Sequence, residues 1–161
     1  MKAKKISDSV VEMRELILPT DTNLLGNLLG GRLLHWVDVA AAMSASRHAQ
    51  SIVATATIDS VDFNYPVHAG EMIVLKAQLT WVGRTSMEVR VEVCSDNYMT
   101  GETKFTNKAY LVFVALDENG KPHPVPDLVL ETDEERKEYQ EAIKRREARL
   151  LRKKAMRNAG E

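Results

Sequence analysis

Residues 19–49 read PTDTNLLGNLLGGRLLHWVDVAAAMSASRHA: a polar turn, a loop punctuated by Gly26, Gly30 and Gly31, and then Arg32–Ala49 without proline or glycine. An uninterrupted run of that kind predicts one helix over 32–49. Most of its residues are small or apolar, which suits burial, yet Asp38 places a carboxylate among them. The fold must cover this helix and also give that acid a purpose.

The flanking sequence supplies the cover. SVVEMRELIL (9–18) predicts a first strand closed by Pro19, and SIVATATIDSVDF (51–63), rich in Ile, Val and Thr, predicts a second. In 72–82, Ile73, Leu75, Ala77, Leu79 and Trp81 fall on one face; in 86–94, Met87, Val89, Val91 and Val93 oppose Ser86, Glu88, Arg90, Glu92 and Cys94. A period of two marks a sheet with one buried face. GRTS (83–86) fits a hairpin between those strands, and 103–117 predicts a last long strand, ended by ENGKPHPVPD. From Thr132 to about Arg157 a charged helix opens on a T-x-x-E capping box, with acids at its start and bases at its end.

The expected class is α+β: an antiparallel sheet of five to six strands around one central helix, followed by a charged C-terminal helix. One helix on one sheet face makes a modest core, and Ala41, Ala42 and Ala45 are small enough to admit a second helix. A dimer is therefore the economical expectation.

The chain has 161 residues, 44% apolar and 28% charged, with 22 Lys and Arg against 23 Asp and Glu. That is one domain's worth of sequence with no bias toward nucleic acid or a membrane surface. No run reaches the roughly 20 apolar residues of a membrane span, nothing resembles a signal peptide, and the single Cys94 offers neither a disulfide nor metal spacing. A cytoplasmic location is the expectation.

Four fragments together are distinctive: TNLLGNLLGGRLLHWVDVAAA, VDFNYPVHAGE, WVGRTSMEV and TNKAYLVFVALDENGKPHPVP. Their order and spacing resemble the hotdog-fold acyl-CoA thioesterases, of the cytosolic acyl-CoA hydrolase type in single-domain form. The resemblance spans residues 8–130 and leaves 131–161 as a helical tail. It implies hydrolysis of fatty acyl-CoA to free fatty acid and CoA with no metal or cofactor, and hotdog dimers that assemble further into a trimer of dimers. It also implies an asparagine before the helix and an acid within it as the catalytic pair, matched here by Asn23 and Asp38, with Asn27 in reserve. GRTS resembles the family segment near CoA, which points to Arg84, Thr85 and Ser86.

Chemistry gives these residues roles. A thioester needs an activated water and a stabilised oxyanion. Asp38 is the candidate general base, Asn23 can hold the water or the carbonyl, and a helix starting near Gly30 and Gly31 presents unpaired N–H groups at its positive end. Asp38 follows Gly30 by eight residues, roughly 12 Å along a helix, too far to act on a carbonyl seated at its own helix's start. A second, antiparallel helix would deliver its Asp38 there, so each site is expected to draw on two subunits.

Plainer readings stand beside these. Asp38 can pair with His35 at i−3, Asn23 can simply shape a turn, and Arg84 can be an idle surface cation. Lys104 and Lys108 are weak candidates for CoA contact, His68 reads as a loop residue, and Trp36 and Trp81 as packing. KRREARLLRKKAMR (144–157) reads as a solvated helix end, with Leu150, Leu151 and Met156 free to dock on another subunit. A non-catalytic acyl-CoA sensor is the competing function. A hotdog hydratase is disfavoured, because His35 and His68 present no obvious His–acid pair.

Overall fold

The computed structural model describes residues 1–59 and 61–160. Ser60, inside the stretch expected as strand, and Glu161, at the end of the expected tail, lie outside them. The elements run β1 (Lys4–Lys5), β2 (Val11–Leu16), α1 (Gly30–Ala49), β3 (Ile52–Ile58), β4 (Met72–Val82), β5 (Ser86–Asn97), β6 (Glu102–Leu116), β7 (Leu128–Val129) and α2 (Asp133–Ala159). Short 3-10 turns occupy Ile6–Ser9 and Pro19–Asp21.

The main sheet has the order β2-β4-β5-β6-β3, and all its pairings are antiparallel. It curls around α1, which packs against all five strands. This is the hotdog arrangement. Alternation dictates it locally: Ile73, Leu75, Ala77 and Leu79 of β4, and Met87, Val89, Val91 and Val93 of β5, are at most 1% exposed against the helix. Each such aliphatic side chain taken out of water contributes about 1.5–3 kcal/mol. The helix answers with Leu33, Trp36, Val37, Ala40, Ala41, Ala45 and Ala49, and Phe113 and Leu111 of β6 complete the core.

The structure corrects four expectations. The sheet wraps the helix so closely that Ala41 and Ala45 are wholly buried in their own subunit; the outward face carries Gly31, His35, Asp38, Ala42 and Met43 instead. Trp81 leaves the inner face, because the β4–β5 register shifts between Leu79 and Trp81 and a bulge re-aims every side chain after it. Glu88, expected on a solvated face, is fully buried, because α2 covers the sheet's outer side there. The strand expected over 51–63 ends at Ile58. The main sheet has five strands, within the expected five to six, and β1 pairs with β7 in parallel apart from it.

Helix α2 keeps its capping box, with Glu135 N–H donating to Thr132 Oγ1 at 3.0 Å. Its first half packs, with Ala142 fully buried, while Leu151–Gly160 are exposed throughout. No described helix is long and apolar enough to cross a membrane.

Candidate active site

The loop before α1 is built around Asn23. Its Oδ1 accepts from Leu25 N–H (2.9 Å) and Asn27 N–H (3.1 Å), while its carbonyl accepts from Gly26 N–H (3.0 Å). Gly26 sits at φ +76°, a left-handed conformation open to glycine at no steric cost. The turn-shaping role of Asn23 is therefore real, and it uses the carboxamide oxygen. The Nδ2 donor, on an exposed side chain, makes no bond among the described residues.

Asp21 fixes both ends of this loop. Its Oδ2 accepts from Leu18 N–H (3.0 Å), its carbonyl accepts from Leu29 N–H (2.9 Å), and its Oδ1 lies 3.2 Å from Arg32 Nε. Sequence reading missed Asp21, which looked like one more polar residue of a turn.

α1 starts at Gly30, two residues before the uninterrupted run from Arg32, and Leu29 at its N-cap offers no side-chain cap. Arg32 N–H and Leu33 N–H bond back to Leu29 O, whereas Gly30 N–H and Gly31 N–H have no partner among the described residues. Two donors thus stand at the positive end of a 20-residue helix. A Cβ at Gly30 would stand 3.3 Å from Phe63 Cζ, whereas Gly31 faces open space. Absence of a side chain at Gly30 therefore lets an aromatic ring close over the helix start.

Asn23, Asn27 and Gly30 meet in one cavity of about 300 Å³, together with Leu28, Leu33, Phe63, Tyr65, Pro66 and Val67. Leu28 N–H donates to Val67 O (2.7 Å), which ties the two loops into one wall. Asn27 Oδ1 is buried without a partner among the described residues. Phe63 and Tyr65 were not singled out by sequence reading; the signal was two aromatics in a polar, proline-containing loop after a strand.

Asp38 is not in this cavity. It lies part-buried on the outward face of α1, where Thr55 Oγ1 donates to Asp38 Oδ1 at 2.8 Å. His35 makes no ion pair with it among the described residues, so the expected alternative pairing is absent. Thr55 is a second residue missed. It stands next to the β3–β6 register shift between Thr55 and Thr57, a local twist that alternation does not reveal.

Arg84, Thr85 and Ser86 form the expected hairpin but stand apart from Asn23 in the same chain. Arg84 O accepts from Val125 N–H (2.9 Å), and the next residue, Pro126, accepts through its carbonyl from His48 in the last turn of α1 (2.7 Å). The hairpin thus lies at the C-terminal end of α1, about 28 Å along the axis from Gly30 at 1.5 Å per residue. Arg84 faces one cavity with Pro124 and Asp127, Ser86 another with Trp81 and α2. Lys104 lies 5.8 Å from the Tyr65 ring centroid. Burial pushes the Cys94 thiol up and Glu92 adds to this, which disfavours a thiolate there.

The chain matches the thioesterase superfamily over residues 25–102. A Bacillus subtilis protein named as an acyl-CoA thioester hydrolase is 42% identical over 147 residues, 91% of this chain and 86% of that protein. A hexameric acyl-CoA thioesterase superposes with a TM-score of 0.90 at 43% identity, covering 94% of this chain and 97% of the other. The acyl-CoA hydrolase of Staphylococcus aureus, solved with butyryl coenzyme A and coenzyme A, gives 0.87 at 35% identity, covering 97% of each chain. That hydrolase has also been solved with alanine in place of one aspartate, one asparagine and one threonine.

Proposed function

The chain belongs to the hotdog thioesterase superfamily, and from that premise we propose that it hydrolyses fatty acyl-CoA to a free fatty acid and CoA at sites shared between two subunits. The observation that carries this reading is the arrangement at the start of α1. Gly30, whose N–H has no partner among the described residues, and Asn23, whose Nδ2 likewise has none, line an apolar cavity, as a thioester carbonyl with an acyl chain requires; the unpartnered N–H of Gly31 follows directly in the helix.

In the proposed mechanism the carbonyl oxygen points at those donors. The Asp38 carboxylate of the adjoining subunit takes a proton from water, and the resulting hydroxide adds to the carbonyl carbon. Negative charge then rests on the oxygen, where the amide donors and the helix dipole stabilise it more than they stabilise the ground state. Collapse breaks the C–S bond, and the proton held by Asp38 passes to the departing sulfur. Because the Asn23 oxygen is engaged in its own loop, Asn23 acts as a donor to the oxyanion. Asn27, with an unsatisfied oxygen, is the reserve candidate for holding water. The chemistry needs no metal or cofactor.

Two structural facts favour sharing. Asp38 and Gly30 lie roughly 12 Å apart along one axis, and the outward face of Asp38 and the edge of β3 are both uncovered in a single chain. An antiparallel partner helix would also bring the hairpin of Arg84, Thr85 and Ser86 toward the Asn23 end, where Arg84 can pair with CoA phosphates. Dimers of this kind would assemble in threes, in the cytoplasm, which gives six chains, the number in the hexameric relative. Steady-state CoA release over acyl chains from acetyl to palmitoyl tests the reading. Turnover of at least one chain length is expected; tight binding of every acyl-CoA without turnover would instead identify a sensor.

A further inference from the structure

Glu88 is a carboxylate with no exposed surface, placed on the outer side of β5. Isolated, it would carry a desolvation cost of several kcal/mol. Thr80 Oγ1 donates to its Oε1 at 2.6 Å, and Arg145 grips it with Nη2 to Oε1 (2.8 Å) and Nε to Oε2 (3.1 Å). The Arg145 guanidinium in turn stacks on the Tyr110 ring at 3.7 Å. Glu88 is thus well paired before Arg149 is counted.

Arg149 nevertheless reaches it as well, and bridges to a second acid. Its Nη1 lies 3.2 Å from Glu88 Oε2 and 3.3 Å from Asp59 Oδ2, and Arg152 adds a 3.4 Å contact to Asp59 Oδ1. Asp59 directly follows β3 and heads the segment that carries Phe63 and Tyr65 into the candidate site. Among the described residues that segment has few other hydrogen bonds, although Val61 packs on the core and Lys104 lies by the Tyr65 ring. Asp59 N–H donates to Tyr110 O (3.0 Å), Asp62 O accepts from Asn107 Nδ2 (3.2 Å), and the next bond is at Val67.

We propose that Arg149 is a positioning residue for substrate binding: by joining Asp59 to the buried Glu88, it holds the Phe63–Tyr65 segment against the start of α1. This rests on reading that cavity as the acyl-CoA site. Because Arg145 and Thr80 already satisfy Glu88, the Asp59 half of the bridge is separable from the anchoring of α2. The C-terminal helix then sets substrate affinity from the opposite side of the sheet without touching substrate.

Hydrogen–deuterium exchange of residues 61–66 in the full chain, measured beside KM and kcat, tests this with Asp59→Asn, Arg149→Met and Arg149→Lys. Asp59→Asn and Arg149→Met are expected to speed exchange in 61–66 and to raise KM about 3–10-fold, with a smaller change in kcat. Arg149→Lys, which keeps the charge, should recover most of both effects. Unchanged exchange after Asp59→Asn overturns the proposal, and so does faster exchange with KM unmoved. Failure of the wild-type chain to hydrolyse any acyl-CoA would overturn the functional reading instead, while the exchange data still decide whether the tether exists.

Discussion

Thr55 Oγ1 donates a 2.8 Å hydrogen bond to Asp38 Oδ1, tying the middle of α1 to the edge strand β3. The bond orients the carboxylate, and Oδ2, with no partner among the described residues, is the oxygen that would receive a proton in the proposed reaction. Thr55→Ala should lower kcat by about 10-fold or more while costing about 1 kcal/mol or less in stability, and Thr55→Ser should retain activity. Asp38→Asn should cost about 10²–10⁴-fold in kcat. Wild-type turnover in Asp38→Asn, in an assay with the best substrate, would end the base assignment.

One substitution can separate the turn-shaping role of Asn23 from its proposed catalytic one. Aspartate keeps the oxygen that accepts from Leu25 and Asn27 N–H, but loses the Nδ2 donor. Asn23→Asp should therefore melt near the wild-type temperature and still lose about 10²–10³-fold in kcat. Asn23→Ala should lose both loop order and activity. If Asn23→Asp is inactive only because it melts early, Asn23 is a turn residue and nothing more.

Subunit mixing tests the shared site directly. Equal amounts of inactive Asp38→Asn and Asn23→Asp chains, unfolded and refolded together, should regain about a quarter of wild-type activity, because half the dimers are hybrids with one intact site each. A site confined to one chain recovers nothing. The same result is expected whether or not dimers assemble further.

A pH effect on stability follows from His48. Its ring is buried at the end of α1, with Nε2 2.7 Å from Pro126 O and Nδ1 unpartnered among the described residues. Burial holds its pKa below the ordinary 6.5, with Lys4 lowering it further, against opposing contributions from the Pro126 hydrogen bond and Asp8. The unfolded chain binds this proton more readily, so His48's stabilisation is whole above about pH 6.5 and is lost as pH falls through the lower folded value. Thermal melts at pH 7.5 and pH 5 should show a larger drop for wild type than for His48→Gln, whose amide can still donate to Pro126. Equal drops would remove His48 as the cause.

The parts of this fold that sequence could reveal are those set by local periodicity. Strands β4 and β5 repeat their apolar residues every second position, and Thr132 and Glu135 announce α2 through a bond within one turn. What stayed hidden depends on packing at a distance. A bulge turned Trp81 outward, the curl of the sheet took Ala41 and Ala45 from the helix's free face, and α2 buried Glu88. The same holds for the site. Asn23, Asn27 and Gly30 of the candidate cavity are close in sequence, whereas Phe63 and Tyr65 join them, and Thr55 joins Asp38, only through tertiary contacts.

The eight-residue separation of Gly30 and Asp38 also fixes where two antiparallel helices would cross. In the proposed pair the midpoint is Leu34, beside His35, so the symmetry axis would pass there and each of these side chains would face its own copy. A substitution at the crossing is then made twice within a single contact. Selection at Leu34 and His35 would act on self-compatibility, and a lone positive charge introduced there would always meet its twin.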